Sequence, residues 1–253
     1  MLELRDVSLS FGGVKAVDGL SFTVNPGEIF CLIGPNGAGK STVFNIISRL
    51  YQPDTGQLTY NNENLLGLKS HQLAKSGICR TFQNIELFDR ASLLQNLLIA
   101  QFSRAKTSIW SDLGFLKWTK NQEWQFRQRA EEMIDFFELA PYRHSMVGQL
   151  PYGVRKLTEL ARSMCLLPKL ILLDEPSSGL NQEETDDLSH WIIDIKEEFG
   201  VTVVMVDHNM PLVHQVADRV LAMAEGRFLA EGSAAEVQAH PKVLKAYLGE
   251  DHE

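Results

Sequence analysis

Residues 34–42 read GPNGAGKST, which fits G-x-x-x-x-G-K-[ST], and they stand between the apolar run IFCLI (29–33) and the apolar stretch VFNIIS (43–48). A strand, a glycine-rich loop and a helix in that order make a cradle for a polyphosphate. Gly34, Gly37 and Gly39 let the backbone wrap closely round the anion, whose charge meets free N–H groups at the start of the following helix. Pro35, Asn36, Ala38 and Thr42 complete the cradle. Lys40 is placed to reach the β and γ phosphates, and the Ser41 hydroxyl to ligate Mg²⁺.

A second run, LILLDEP (170–176), supplies what such a loop lacks, an acidic pair at the end of a buried strand beside it. Asp174 is expected to hold the magnesium through water. Glu175, one residue on, is expected to polarise a water for in-line attack on the γ phosphate. A third apolar run, VTVVMV (201–206), ends in Asp207 and His208. An imidazole there can hydrogen-bond the γ phosphate and hold the attacking water.

The elements that must position these residues are legible in outline. Leu2, Leu4, Val7, Leu9 and Phe11, followed by DGLSFTV before the turn NPGE, alternate as an antiparallel N-terminal lobe would. IFCLI, LILL (170–173), VTVVMV and VLAM (220–223) read as buried parallel strands separated by helices. Between residues 84 and 167 helical signals take over. Phe126, Ala130, Met133, Ile134 and Phe137 share one helix face, which predicts core. The segment 102–122, rich in Trp, Lys and Ser, is a long connection, either mobile or held by something outside the chain.

The composition, 44% apolar and 22% charged over 253 residues, is that of an ordinary globular protein. A net charge of -8 argues against a phosphate-backbone binder, so no nucleic-acid partner is expected. No apolar run approaches the roughly 18 to 20 residues that cross a bilayer, and the start MLELRDVSLSF resembles no leader, so the chain is expected in the cytosol. Cys31, Cys79 and Cys165 are spaced for neither zinc nor disulfides and are expected to be reduced packing residues.

A GTPase would need N-K-x-D, which does not occur, and a small-molecule kinase would not explain a helical insertion followed by LPYG. Along nearly its whole length the chain resembles the ATP-binding cassette family. The resemblance implies an α/β, P-loop NTPase (RecA-like) core sheet with an N-terminal antiparallel β lobe and an inserted helical subdomain. Residues 1–253 would form one nucleotide-binding domain: 1–83 and 158–235 the β lobe and core, 84–157 the helical subdomain, and 236–253 a helical tail. Phe11 sits where the family stacks an aromatic on adenine. Gln83, in RTFQ, matches the family's Q-loop, which touches Mg²⁺ and water and signals to a membrane partner. SSGLN (177–181) matches the D-loop, with Asn181 where many members have Asp.

GICRTFQNIELF, LPYG in place of LSGG, SSGLNQEE and the ending GRFLAEGSAAEVQAHPKVLKAYLGE are similar to the branched-chain amino-acid uptake branch of that family. By resemblance the chain would bind ATP and Mg²⁺ and lie peripherally on the cytoplasmic face of the inner membrane. Its partners would be two permeases, indirectly a solute-binding protein, and a second, different ATPase subunit packed head to tail. Other amino acids, amides or urea stay open as solutes, and a soluble cassette without permeases or a noncatalytic regulator are rival readings. In such a pair each ATP lies between one phosphate loop and the other subunit's signature. Leu150 and Gly153 keep the signature pattern L-S-G-G-Q, while Pro151, Tyr152 and Val154 replace Ser, Gly and Gln. Pro151 brings neither hydroxyl nor N–H, a loss of roughly 1.5 to 3 kcal/mol for a bond to a charged phosphate. The partner's ATP, facing LPYGV, is therefore expected to turn over more slowly than this chain's own.

Overall fold

The computed structural model of the chain describes residues 1–81, 86–102 and 117–248. They form two compact units, Met1–Gln83 with Lys169–Glu253, and Asn84–Pro168. The first unit carries two sheets.

One sheet is antiparallel, in the order β2-β1-β4-β5, from β1 (Leu2–Phe11), β2 (Val14–Val24), β4 (Thr55–Tyr60) and β5 (Glu63–Asn64). Leu2, Leu4, Val7 and Leu9 all lie in the core, although the step from Leu4 to Val7 breaks strict alternation. A register shift between those residues, with Asp6 at φ 48, absorbs the extra residue and returns Val7 to the buried face. The expected antiparallel lobe is therefore present.

The other sheet has the order β10-β9-β3-β8-β7-β6. Its strands are β3 (Ile29–Ile33), β6 (Ile78–Arg80), β7 (Leu170–Asp174), β8 (Thr202–Val206), β9 (Arg219–Ala224) and β10 (Arg227–Gly232). From β9 to β6 every pairing is parallel, while β10 runs antiparallel on β9. All residues of β3, β7 and β8 are buried, as continuous apolar runs predict. One expectation is corrected. The strand ending in Asp174 is not beside the phosphate-loop strand, because β8 lies between them and pairs with both. An apolar run shows that both faces of a strand are covered, but says nothing of its neighbour.

The helices of this unit are α1 (Lys40–Ile47), α2 (Leu73–Ser76), α6 (Gln182–Phe199), α7 (Met210–Val216), α8 (Ala234–Ala239) and α9 (Pro241–Leu248). Parallel strands end at one edge, and Leu32, Val206 and Asp174 stand level across β3, β8 and β7. That level fixes where the phosphate loop, Asp174 and His208 leave the sheet.

The second unit packs α3 (Leu93–Gln101), α4 (Lys117–Phe136) and α5 (Tyr152–Met164). Ala130, Met133, Ile134 and Phe137 are buried, and the half-buried Phe126 meets Phe102 edge to face. The unit runs to Pro168, whereas 84–157 was expected; residue 157 falls inside α5, which continues unbroken to Met164. In the first unit, α8 opens the tail at Ala234 on a Ser233–Glu236 capping box. Of the long connection 102–122, residues 103–116 lie outside the described residues, and α4 begins at Lys117.

Candidate active site

The phosphate loop leaves β3 at Gly34 and enters α1 at Lys40. A Cβ on Gly34 would stand 2.1 Å from the Met223 carbonyl oxygen, and one on Gly39 2.2 Å from that of Ala16. No side chain fits at either position, so the sequence leaves them bare and the backbone closes into a cradle. Asn36, Gly37 and Ser41 are exposed on it, while Lys40 is 8% exposed. The Lys40 ammonium donates to the carbonyls of Gly34 at 2.7 Å and Pro35 at 3.0 Å. Burial pushes its pKa down, opposed by the Glu175 and Asp174 carboxylates. An incoming phosphate offers that cation a stronger partner than two carbonyls.

Asp174 ends β7 at 5% exposure, and Arg80, the last residue of β6, donates to its Oδ2 at 2.6 Å. Glu175 follows in the left-handed region at φ 48, anchored by its N–H to the Val206 carbonyl at 2.8 Å. A β-region residue would continue the strand; this turn sends the half-buried Glu175 side chain off the ladder instead.

His208 is exposed at the end of β8, and the buried Asp207 before it holds that corner. Asp207 accepts from the Ser177 N–H at 3.0 Å, the Ser177 hydroxyl at 2.8 Å, and the N–H groups of His208 at 2.7 Å and Asn209 at 2.9 Å. One carboxylate thus ties the SSGLN loop to the histidine corner. Asn181 closes that loop as the N-cap of α6, its side chain accepting from Glu184 N–H at 3.0 Å. The Asn in place of Asp costs the cap nothing.

Phe11 is 45% exposed at the end of β1 and meets the half-exposed Tyr51 edge to face, centroids 5.2 Å apart. Tyr51 steadies a ring that stays nearly half exposed. If Phe11 stacks on adenine, Phe11→Ala weakens ATP about 5- to 150-fold, as loss of one base–aromatic stack does. Titrating a fluorescent ATP analogue against inorganic tripolyphosphate checks this, because the base-free ligand should not notice the change.

Leu150, Pro151, Tyr152 and Gly153 belong to the helical unit. Pro151 is the N-cap of α5, its carbonyl accepting from Arg155 N–H at 3.0 Å, and Gly153 is buried in the first turn. A proline outside the first turn removes no helix bond, so the amides of that turn still point out of the N-terminus. Gln83 lies outside the described residues. Three side chains were not foreseen as part of the site: Arg80, Tyr51, and Tyr247 of α9. Burial pushes the Tyr247 phenol up in pKa, while a hydrogen bond from the Gly34 backbone draws it down.

Among the described residues no cluster of three or more His, Cys, Asp or Glu could hold a metal alone. Magnesium carried by nucleotide phosphates needs only one or two protein oxygens, which Ser41 and Asp174 could supply. Bound there, the ion would draw charge from the β and γ phosphates.

An α/β sheet with a glycine cradle after one strand, and acid and histidine at the same edge of the next two, is the build of a P-loop NTPase. The sequence profile of the ABC transporter family matches residues 17–178, and that of the branched-chain amino acid ATP-binding cassette transporters matches 229–253. The chain is 36% identical over 250 residues to BraF of Pseudomonas aeruginosa, a high-affinity branched-chain amino acid transport ATP-binding protein, covering 99% of this chain and 98% of that one. It is 34% identical over 250 residues, with the same coverage, to LivG of Escherichia coli (strain K12), which carries the same description. A nucleotide-free ATP-binding cassette from an ABC transporter superposes with a TM-score of 0.85 at 30% identity, over 99% of both chains. A second cassette, in its ADP conformation, gives 0.86 at 30% identity over the same share. The chain belongs to the ABC transporter family, as one of its ATP-hydrolysing cassettes.

Proposed function

We propose that this cassette hydrolyses Mg-ATP to drive the uptake of branched-chain amino acids through partner permeases. The observation that carries the ATPase half is the level Leu32, Val206 and Asp174, which sets the phosphate loop, the acidic pair and His208 at one sheet edge. Lys40 and the α1 amides bind the phosphates, Ser41 and Asp174 hold Mg²⁺, Glu175 takes the proton from water, and His208 positions that water. Gln83 would complete the metal site.

The transport half rests on the relatives, which are named for branched-chain amino acid transport and which the chain matches end to end. No helix among the described residues is long and apolar enough to cross a membrane, so passage belongs to other subunits. A groove of about 550 Å³ in the helical unit, lined by Phe88, Leu98, Ile99, Phe102, Phe126 and Arg90, is apolar enough to seat a short permease helix. The chain would thus lie peripherally on the cytoplasmic face. A related cassette whose likeness extends to fold alone is dimeric, and here the partner cassette is a different subunit whose ATP faces LPYGV.

The test is uptake into proteoliposomes holding the cassette with its neighbouring permease and second ATPase subunits, fed by the solute-binding protein. ATP-dependent accumulation of radiolabelled leucine, competed by isoleucine and valine, is expected. Accumulation of an amide or urea instead would replace the solute, and ATP hydrolysis with no permease bound would replace transport itself.

A further inference from the structure

Arg80 stands outside the motifs that mark the nucleotide site, yet its guanidinium is the best-connected cation beside it. Nη2 donates to Asp174 Oδ2 at 2.6 Å, and Nη1 to Asn45 Oδ1 and Ser48 Oγ, both at 2.7 Å. The side chains of Arg80 and Asp174 are only 10% and 5% exposed. Asn45 lies within α1 and Ser48 is its C-cap, while Asp174 ends β7. One planar group therefore spans the helix behind the phosphate loop, the strand carrying the metal-side carboxylate, and β6. Its carbon also lies 5.8 Å from the centre of the Phe44 ring. Lysine has a single ammonium and no fork, so it could not meet these acceptors together.

A buried carboxylate without a counter-charge is costly, and breaking a buried pair leaves that cost exposed. In a site awaiting Mg-ATP, Asp174 needs a cation before the metal arrives. Once the metal is there, two cations share one carboxylate and repel each other. We infer that Arg80 is a positioning residue that stands in for Mg²⁺ at Asp174: it neutralises and orients the carboxylate while nucleotide is absent and sets how much Mg²⁺ the loaded site demands. Oδ2 is held by the guanidinium, so Arg80 fixes the orientation of the carboxylate that would hold the metal. Arg80 is also three residues ahead of Gln83, so the strand end that answers to the metal's charge leads directly into that segment.

This inference rests on the reading of Asp174 as a metal-side ligand, and the experiment separates the two. The affinity of the full chain for a fluorescent ATP analogue is titrated against Mg²⁺ in the wild type, Arg80→Gln and Arg80→Lys. The Mg²⁺ midpoint is expected to fall about fivefold or more in Arg80→Gln, the effect of removing one positive charge near a dication even at water-like screening. Arg80→Lys, which keeps the charge, stays within about twofold of the wild type. In EDTA without nucleotide, Arg80→Gln melts lower than the wild type, and Mg²⁺ restores part of the difference; a purely structural role would lower melting without answering to the metal. Arg80→Met fills the same buried space without charge and carries the test if the glutamine variant does not fold. A wild-type Mg²⁺ dependence copied unchanged by the neutral variants would overturn the role of Arg80. No Mg²⁺ dependence in the wild type would overturn the metal reading of Asp174 and this inference with it.

Discussion

Glu175→Gln is expected to lower steady-state phosphate release by about 10²- to 10⁴-fold, the range that a positioned general base contributes, while ATP affinity changes little. The substitution keeps the shape of the side chain and its left-handed backbone at φ 48, so the N–H bond to Val206 survives while the proton-accepting carboxylate is lost. Unchanged phosphate release would remove Glu175 from this role. The same variant tests the signature, because blocked hydrolysis traps any nucleotide sandwich. Light scattering with Mg-ATP is expected to show a monomer that becomes a dimer once Pro151→Ser restores a hydroxyl to LPYGV. A dimer before that change would show that the backbone of the α5 first turn closes on a phosphate unaided. A chain that stays monomeric after Pro151→Ser would point to the second ATPase subunit, and turnover unchanged by that substitution would show that the signature carries no consequence.

The second large effect comes from one methyl group. Gly39→Ala places a Cβ 2.2 Å from the Ala16 carbonyl oxygen at φ 101, so the backbone of the loop or of β2 must move. Loss of nucleotide affinity by about 100-fold or more is expected, together with a lower melting temperature, since a backbone neighbour cannot swing aside as a side chain can. Gly37→Ala is the control. Its Cβ would meet nothing within 4 Å, and only the left-handed φ of 80 is strained, a cost of about 1 to 2 kcal/mol. Fluorescent-nucleotide titration of both variants separates closure of the cradle from strain of the loop; equal losses would show that contact with Ala16 does not matter.

The chemistry of the site was more legible than its wiring. GPNGAGKST, LILLDEP and DH carry their roles in local order, and the strands around them appear where apolar runs stand without a gap. Strand order was not legible, because β8 and β7 have the same fully buried pattern and nothing in either run says which lies next to β3. The three-residue β6 is too short for any period to show, and β10 buries only Ala230. Arg80 illustrates the limit best: its partner Asp174 is 94 residues away, and no spacing rule reaches that far. In the sequence Asp207 is only the residue before the histidine, whereas in the fold its four hydrogen bonds make it the tie between two loops. Asn181 belongs to the stretch that resembles a D-loop, and its Asn-x-x-Glu spacing before an apolar-periodic run also spells a helix cap.

Cys31, Cys79 and Cys165 are the three cysteines of the sequence, and all are buried. Burial raises the Cys31 thiol far above its ordinary range and pushes Cys165 up to about 12. The thiolate is the form that attacks maleimides and methanethiosulfonates, and at neutral pH these two sites hold almost none. A single cysteine placed on the exposed turn at Asn62, between β4 and β5, should therefore take a spin label or fluorophore selectively in the folded native background. The mobility and surroundings of that label can then be followed through the ATP cycle without first stripping the natural thiols from the core.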